Sequence, residues 1–139
     1  MNSATDNPID NVTTLTFDIF GTVLDLAGSL IPPLNELLLR INANPSITGE
    51  TVWAHWRQRQ RIEQYQDNLL MLGHSGYLAV KRRALIYTLR SLKIGFTYDQ
   101  IDEFMQSYQK LSPFQDAIDG LTRLKKRYQL VMLSNGEQW

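Results

Sequence analysis

Asp18 and Thr22 stand four residues apart at the end of a strand-like run, in the segment LTFDIFGTVLD at residues 15–25. The alternating, β-branched and aromatic residues around this aspartate predict a strand over 12–19, which breaks at Gly21. A carboxylate held by neutral hydroxyl donors stays ionised and can act as a nucleophile. The simpler alternative is an aspartate that caps the turn before a glycine.

A second polar group follows an apolar run near the other end of the sequence. The segment YQLVMLSNG, residues 128–136, predicts a short strand covered on both faces. The predicted strand is followed by Ser134 and Asn135. Functional groups collect at the carboxyl ends of parallel strands, so we expect both side chains to lie beside Asp18. Taken by itself, the segment is equally well explained as a plain turn.

The composition is that of an ordinary globular protein. The 139 residues are 43% hydrophobic and 20% charged, and 14 basic and 14 acidic side chains give a net charge of zero. This balance gives no reason to expect nucleic acid or an anionic membrane as partner. There is no cysteine, no apolar run approaches the roughly 20 residues that span a bilayer, and His55 and His74 have no further ligand at metal spacing. We therefore expect a cytoplasmic protein without a metal site.

Four or five helices are predicted between the two strand segments, because apolar residues recur there at helical spacing. Pro32 and Pro33 are expected in the first turn of the first helix, and Thr97 and Gln100 have the spacing of a capping box. The other predicted helical ranges are 50–72, 77–92, 97–110 and 116–127. A helix directly before the last strand favours a parallel crossover. The sequence ends as another helix would start, which predicts an incomplete α/β domain.

The two strand segments together resemble the haloacid dehalogenase superfamily. FDIFGTVLD, residues 17–25, resembles its first motif, whose aspartate is the covalent nucleophile, and LVMLSNG, residues 130–136, resembles its second. The resemblance implies an α/β fold, a Rossmann-like parallel sheet with an inserted helical cap, and a core domain that is incomplete in this chain. It implies a first strand and nucleophile loop at 12–26, a cap at 27–112 and a return to the core at 113–139.

Phe20 distinguishes between branches of this superfamily. Phosphatase members carry a second aspartate two residues after the nucleophile as general acid and base, and a phenyl ring cannot transfer a proton. The dehalogenase branch carries an aromatic residue there. HWRQRQ, residues 55–60, is similar to a segment of the L-2-haloacid dehalogenases whose arginine binds the substrate carboxylate; carried over, this is Arg57. From the residues alone, a solvated basic helix face with Arg59 and Arg61 is the alternative.

The resemblance implies hydrolytic dehalogenation of short 2-haloalkanoic acids to 2-hydroxy acids through an ester on the aspartate, with no cofactor. The catalytic residues would be Asp18, Thr22, Arg57, Ser134 and Asn135. The substrate-binding residues would be Ile19, Phe20, Arg57, Tyr77 and Asn135. Tyr77 has an alternative as a core residue at a helix start. The partner implied is a small-molecule 2-haloacid, with a homodimer as a possible assembly.

Two other functions stay open. A Mg²⁺-dependent phosphatase would keep the superfamily and change the reaction, although Phe20 counts against it. An inactive fragment or helical binding module of the same ancestry is the other alternative. Its support is that the family's lysine partner of the nucleophile and its acidic segment would lie beyond Trp139.

Overall fold

A computed structural model of the chain describes residues 11–69, 73 and 75–134. These residues divide into two compact units, one made of 11–25 with 113–134 and the other of 26–112. The elements in chain order are β1 (Thr14–Phe17), α1 (Leu26–Arg40), α2 (Gly49–Leu69), α3 (Tyr77–Ser91), α4 (Tyr98–Met105), a 3₁₀ helix (Gln106–Lys110), α5 (Ala117–Leu124) and β2 (Gln129–Met132).

A two-stranded parallel sheet organises the first unit. At the carboxyl end of the pairing between β1 and β2, Phe17 lies opposite Met132. The Leu133 amide extends the pairing by donating to the Phe17 carbonyl over 2.8 Å. The predicted parallel sheet is thereby confirmed. Because both strands run in the same direction, Asp18 and Ser134 follow them at one edge.

The strand β2 is not covered on both faces, so that prediction from its apolar run was wrong. Val131, Met132 and Leu133 are 38%, 68% and 68% exposed, and β1 alternates between exposed and half-buried residues. Within the described ranges, each strand has the other as its one sheet neighbour. The described residues therefore do not provide helical layers that cover both faces of these strands, as a complete parallel sheet has.

The second unit is a helical assembly packed around Trp56. The indole ring meets Phe104 and Tyr108 edge to face, with centroid distances of 5.6 and 6.1 Å. Its Nε1 donates to the Lys81 carbonyl over 2.8 Å, so the buried polar atom is satisfied. The other core residues with no or almost no exposed surface include Leu30, Leu34, Leu37, Val52, Val80, Ala84, Leu85, Leu89 and Ile101.

Pro32 and Pro33 lie inside α1, so the expectation that they occupy its first turn was wrong. A proline in a helix interior removes the donor for the carbonyl four residues earlier. Those carbonyls belong to Gly28 and Ser29, close to the start of the helix at Leu26. Three leucines on one face of α1 are fully buried, and this burial outweighs the missing helical hydrogen bonds.

The other helices start close to their predicted positions. The capping box of α4 is formed: the Thr97 hydroxyl accepts from the Gln100 amide, and the Gln100 side chain accepts from the Thr97 amide. The helix predicted to reach residue 110 changes to 3₁₀ geometry at Gln106, and α5 is shorter than expected. No helix in the described part of the chain is long and apolar enough to cross a membrane.

Candidate functional site

A tight loop follows β1 and carries Asp18 at its start. Gly21 adopts a φ of 92°, which glycine reaches without the steric cost of a side chain. The Gly21 amide donates to the Leu24 carbonyl, and the Leu24 amide donates to the Ile19 carbonyl, both over 2.9 Å. This doubled-back backbone brings Thr22 next to the aspartate.

The contact between Asp18 and Thr22 is a direct hydrogen bond. The Thr22 hydroxyl donates to Asp18 Oδ2 over 2.8 Å, and both residues are exposed. A neutral hydroxyl orients the carboxylate without cancelling its charge. The contact engages one of the two carboxylate oxygens of an exposed aspartate.

The second segment of the first unit holds this loop in place. The Phe114 amide donates to the Val23 carbonyl over 2.9 Å, and Leu24 forms a bridge with Pro113. These backbone contacts join the loop after β1 to the residues that precede α5. The position of Asp18 therefore depends on both sequence segments of the unit.

The other described site residues predicted for the first unit come shortly after the ends of β1 and β2. Ser134 is half-buried and is the second residue after β2, whereas Asp18 directly follows β1. Ile19 and Phe20 come directly after Asp18, and both are half-buried. Asn135 lies outside the described residues. The structure thus brings Asp18 and Thr22 into contact and places Ser134 at the end of the neighbouring strand.

Arg57 lies on α2 in the second unit and is half-buried. Its Nη1 donates to Gln60 Oε1 over 2.9 Å. Its Cζ lies 5.5 Å from the centroid of the Trp53 ring, within the range of a cation–π interaction. Among the described residues, no acidic side chain forms an ion pair with this guanidinium. The hydrogen-bond acceptor that holds it is thus a neutral amide.

The neighbouring arginines of α2 are placed differently, so the residues 57–61 are not one solvated basic face. Arg59 forms an ion pair with Glu63 over 2.6 Å, and Arg83 of α3 reaches the same carboxylate over 3.3 Å. Glu63 is buried, whereas Arg61 is exposed. Glu63 thus links Arg59 of α2 to Arg83 of α3.

Tyr77 is the first residue of α3 and is half-buried. Lys81 Nζ lies 5.9 Å from the Tyr77 ring centroid and 4.4 Å from that of Tyr108. Tyr77 is thereby linked through Lys81 to the aromatic cluster around Trp56. Both the pocket role and the core role proposed for this tyrosine are compatible with that position.

Two buried polar residues near Arg57 were missed by sequence reasoning. Gln60 is 3% exposed and Tyr108 is 5% exposed; Gln60 Nε2 and Tyr108 Oη have no hydrogen-bond partner within the described residues. Burial raises the pKa of Tyr108, while the Arg57 charge and the Gln60 side chain act in the opposite direction. The i, i+3 spacing from Arg57 could have indicated Gln60; no local signal marks Tyr108.

In the part of the chain that the structure describes, no cluster of three or more histidine, cysteine, aspartate or glutamate residues could hold a metal ion.

The chain is similar to curated (S)-2-haloacid dehalogenases. It is 30% identical to the enzyme from Pseudomonas sp. (strain YL) and 28% identical to (S)-2-haloacid dehalogenase 4A from Burkholderia cepacia, in each case over 92% of this chain and 52% of the relative. The chain thus spans about half the length of the curated relatives it matches. No protein-family model matches it.

Solved structures of L-2-haloacid dehalogenases are also similar to this chain. The L-2-haloacid dehalogenase from Xanthobacter autotrophicus matches with a TM-score of 0.73 and 27% identity, over 91% of this chain and 47% of that one. The structure of that enzyme with chloropropionic acid covalently bound matches with a TM-score of 0.70 at the same identity and coverage. The predicted resemblance to the L-2-haloacid dehalogenases, with an α/β fold of the haloacid dehalogenase superfamily and an incomplete core domain, is therefore confirmed.

Proposed function

We propose that this chain carries the nucleophile of an enzyme that hydrolyses short 2-haloalkanoic acids to 2-hydroxy acids. The observation that carries the proposal is the hydrogen bond from Thr22 to Asp18 at the carboxyl edge of the parallel sheet. The chloropropionic acid covalently bound to the Xanthobacter autotrophicus enzyme supports a covalent route. The names of the curated relatives support dehalogenation over the two alternative functions.

The first step is an in-line displacement at carbon 2 of the substrate. Asp18 Oδ1 attacks this carbon, a carbon–oxygen bond forms, and the carbon–halogen bond breaks as the halide leaves with its electron pair. Thr22 donates to Oδ2, which would leave Oδ1 as the attacking oxygen. Positioning of the nucleophile and the carbon at attack distance supplies much of the rate. The configuration at carbon 2 is inverted.

Water completes the reaction at the aspartyl ester. It adds to the carboxyl carbon of Asp18, and the bond from that carbon to the ester oxygen breaks. One water proton passes to the departing alkoxide and the other is released, which regenerates the carboxylate and yields the 2-hydroxy acid. Ser134 and Asn135 would hold the carboxylate and the intermediate during this step.

Arg57 is proposed to bind the substrate carboxylate. A guanidinium matches a carboxylate with two parallel hydrogen bonds, and a cation offsets the repulsion between an anionic substrate and Asp18. Ile19, Phe20 and Tyr77 would line the site for the short alkyl group. In this scheme residues 27–112 form the cap, and 12–26 and 113–139 belong to the core.

Neither a metal nor a cofactor takes part in the proposed scheme, because a carboxylate substrate has no phosphate charge to neutralise. A Mg²⁺-dependent phosphatase is less well supported, since Phe20 cannot serve as a general acid. A binding module without activity is the other alternative. The cytoplasmic location and the homodimer remain predictions.

Halide release tests the proposal. The full chain, and its Asp18→Asn variant, would be incubated with each enantiomer of 2-chloropropionate, and with p-nitrophenyl phosphate and Mg²⁺. We expect chloride release from one enantiomer, dependent on Asp18, and no phosphate release. Phosphate release that depends on Asp18 would establish the phosphatase instead, and a folded chain without either activity would favour the binding module.

A further inference from the structure

Gln60 is a polar residue in a place where packing alone favours an apolar one. It is 97% buried on α2, and its Nε2 has no hydrogen-bond partner in the described ranges. A buried donor without a partner costs free energy, and an apolar side chain of the same shape does not. Any favourable interaction of this amide must therefore be made by its oxygen, Oε1.

The other end of the amide contacts Arg57. Gln60 Oε1 accepts a hydrogen bond from Arg57 Nη1 over 2.9 Å. If the amide were turned over, Nε2 would face the guanidinium, donor against donor. The bond to Arg57 thus fixes the amide and leaves Nε2 without a partner. Trp53, four residues before Arg57, adds a second contact through its ring.

The same helix shows what a charged partner does to an arginine. Arg59 is paired with Glu63, a carboxylate that cancels the charge of the guanidinium. Arg57 is instead held by a neutral acceptor, which fixes its orientation and keeps its charge. An arginine that binds an anion needs both properties.

We propose that Gln60 is a positioning residue that orients the Arg57 guanidinium for the carboxylate of the 2-haloacid, a role that rests on the proposed function of Arg57. Gln60 contacts neither the substrate nor the nucleophile in this scheme. It acts through Arg57. Because the buried amide already orders the guanidinium, less conformational entropy is lost when the substrate binds.

Two substitutions of Gln60 separate orientation from charge. Gln60→Met removes the acceptor at a similar volume, and Gln60→Glu keeps the acceptor but neutralises Arg57. Tyr108→Phe is the matched control, because it removes a buried hydroxyl close to Gln60 that does not hydrogen-bond Arg57. The side-chain NMR signal of Arg57, assigned with Arg57→Lys, would report its order in the full chain. Urea unfolding would report stability.

We expect Gln60→Met to free the Arg57 side chain without loss of stability, and to raise the KM for 2-chloropropionate about 10-fold with a smaller change in kcat. Gln60→Glu should keep Arg57 ordered and raise KM at least as much. Tyr108→Phe should change neither. If Arg57 is equally ordered in Gln60→Met and the unmodified chain, or if Tyr108→Phe frees it equally, the positioning role is wrong. If the unmodified chain releases no halide but Gln60→Met still frees Arg57, the positioning role stands and the dehalogenase function fails.

Discussion

The hydroxyl of Thr22 donates a hydrogen bond to Oδ2 of Asp18 over 2.8 Å. The two residues lie four positions apart in a loop that turns at Gly21, where φ is 92°. A glycine at the turn, a hydroxyl after it and a carboxylate at the strand end thus form one local unit. This unit could be recognised from the sequence because all of its parts lie within five residues.

Loss of this hydroxyl should slow halide release more than it affects folding, because Thr22 is exposed. A hydrogen bond to a charged group contributes about 1.5–3 kcal/mol, so Thr22→Ala should lower kcat for 2-chloropropionate about 10- to 100-fold. Thr22→Ser keeps the hydroxyl and serves as the control. Equal turnover numbers for the alanine and serine variants would show that the hydroxyl does not support the reaction.

Two neighbouring leucines of α1 offer a matched test of the helical core. Leu37 is fully buried, whereas Leu39 is 78% exposed. Leu37→Ala should lower the free energy of unfolding by about 2–5 kcal/mol, because it leaves a cavity. Leu39→Ala should change it by about 0.5 kcal/mol or less. Urea unfolding measures both, and similar losses for the two variants would contradict the packing of α1.

The capping box of α4 should contribute measurably to stability. Thr97 and Gln100 satisfy each other's backbone amides at the start of this helix. Thr97→Ala should cost about 1 kcal/mol, whereas Thr97→Ser should retain most of that contribution. The difference between the midpoints of their thermal unfolding curves provides the measurement, and coincident curves would argue against the cap.

Tyr108 should make the folded state sensitive to alkaline pH. Burial raises its pKa above the ordinary value of 10.0, so the neutral phenol is favoured in the folded chain. The stability that this provides is intact below the unfolded pKa of about 10 and is lost as the pH rises above it. Between pH values of about 9 and 11, Tyr108→Phe should lose less stability than the unmodified chain in urea unfolding. Parallel losses would indicate that Tyr108 ionises freely.

Local sequence signals predicted local structure well. The capping box depends on two residues three positions apart, and it is formed as predicted. The first strand is shorter than the predicted range 12–19, since β1 covers Thr14–Phe17. The prolines of α1 show the limit of such signals, because burial of leucines elsewhere in the same helix overrides the usual place of proline. The continuous apolar run of β2 similarly predicted a strand covered on both faces. A short segment does not determine which other elements pack against it.

For the same reason, only part of the candidate site could be predicted from the sequence. Asp18 and Thr22 are neighbours in sequence, and Arg57 was found through its resemblance to a family segment. The surroundings of Arg57 depend on tertiary packing, since Tyr108 lies about fifty residues away in sequence and comes under the influence of the Arg57 charge only in the folded chain. Spacing on one helix could have indicated Gln60, but its burial could not be read from the sequence.

A single turnover in water enriched in the heavy oxygen isotope examines whether Asp18 is the nucleophile. The full chain, in excess over 2-chloropropionate, would be digested, and the peptide that contains Asp18 would be weighed by mass spectrometry. We expect either the ester still attached to Asp18 or, after its hydrolysis, one heavy oxygen in its carboxylate, with an unlabelled hydroxyl in the product. Chloride release with the heavy oxygen in the 2-hydroxy acid, and an Asp18 peptide of unchanged mass, would show that water attacks the substrate directly.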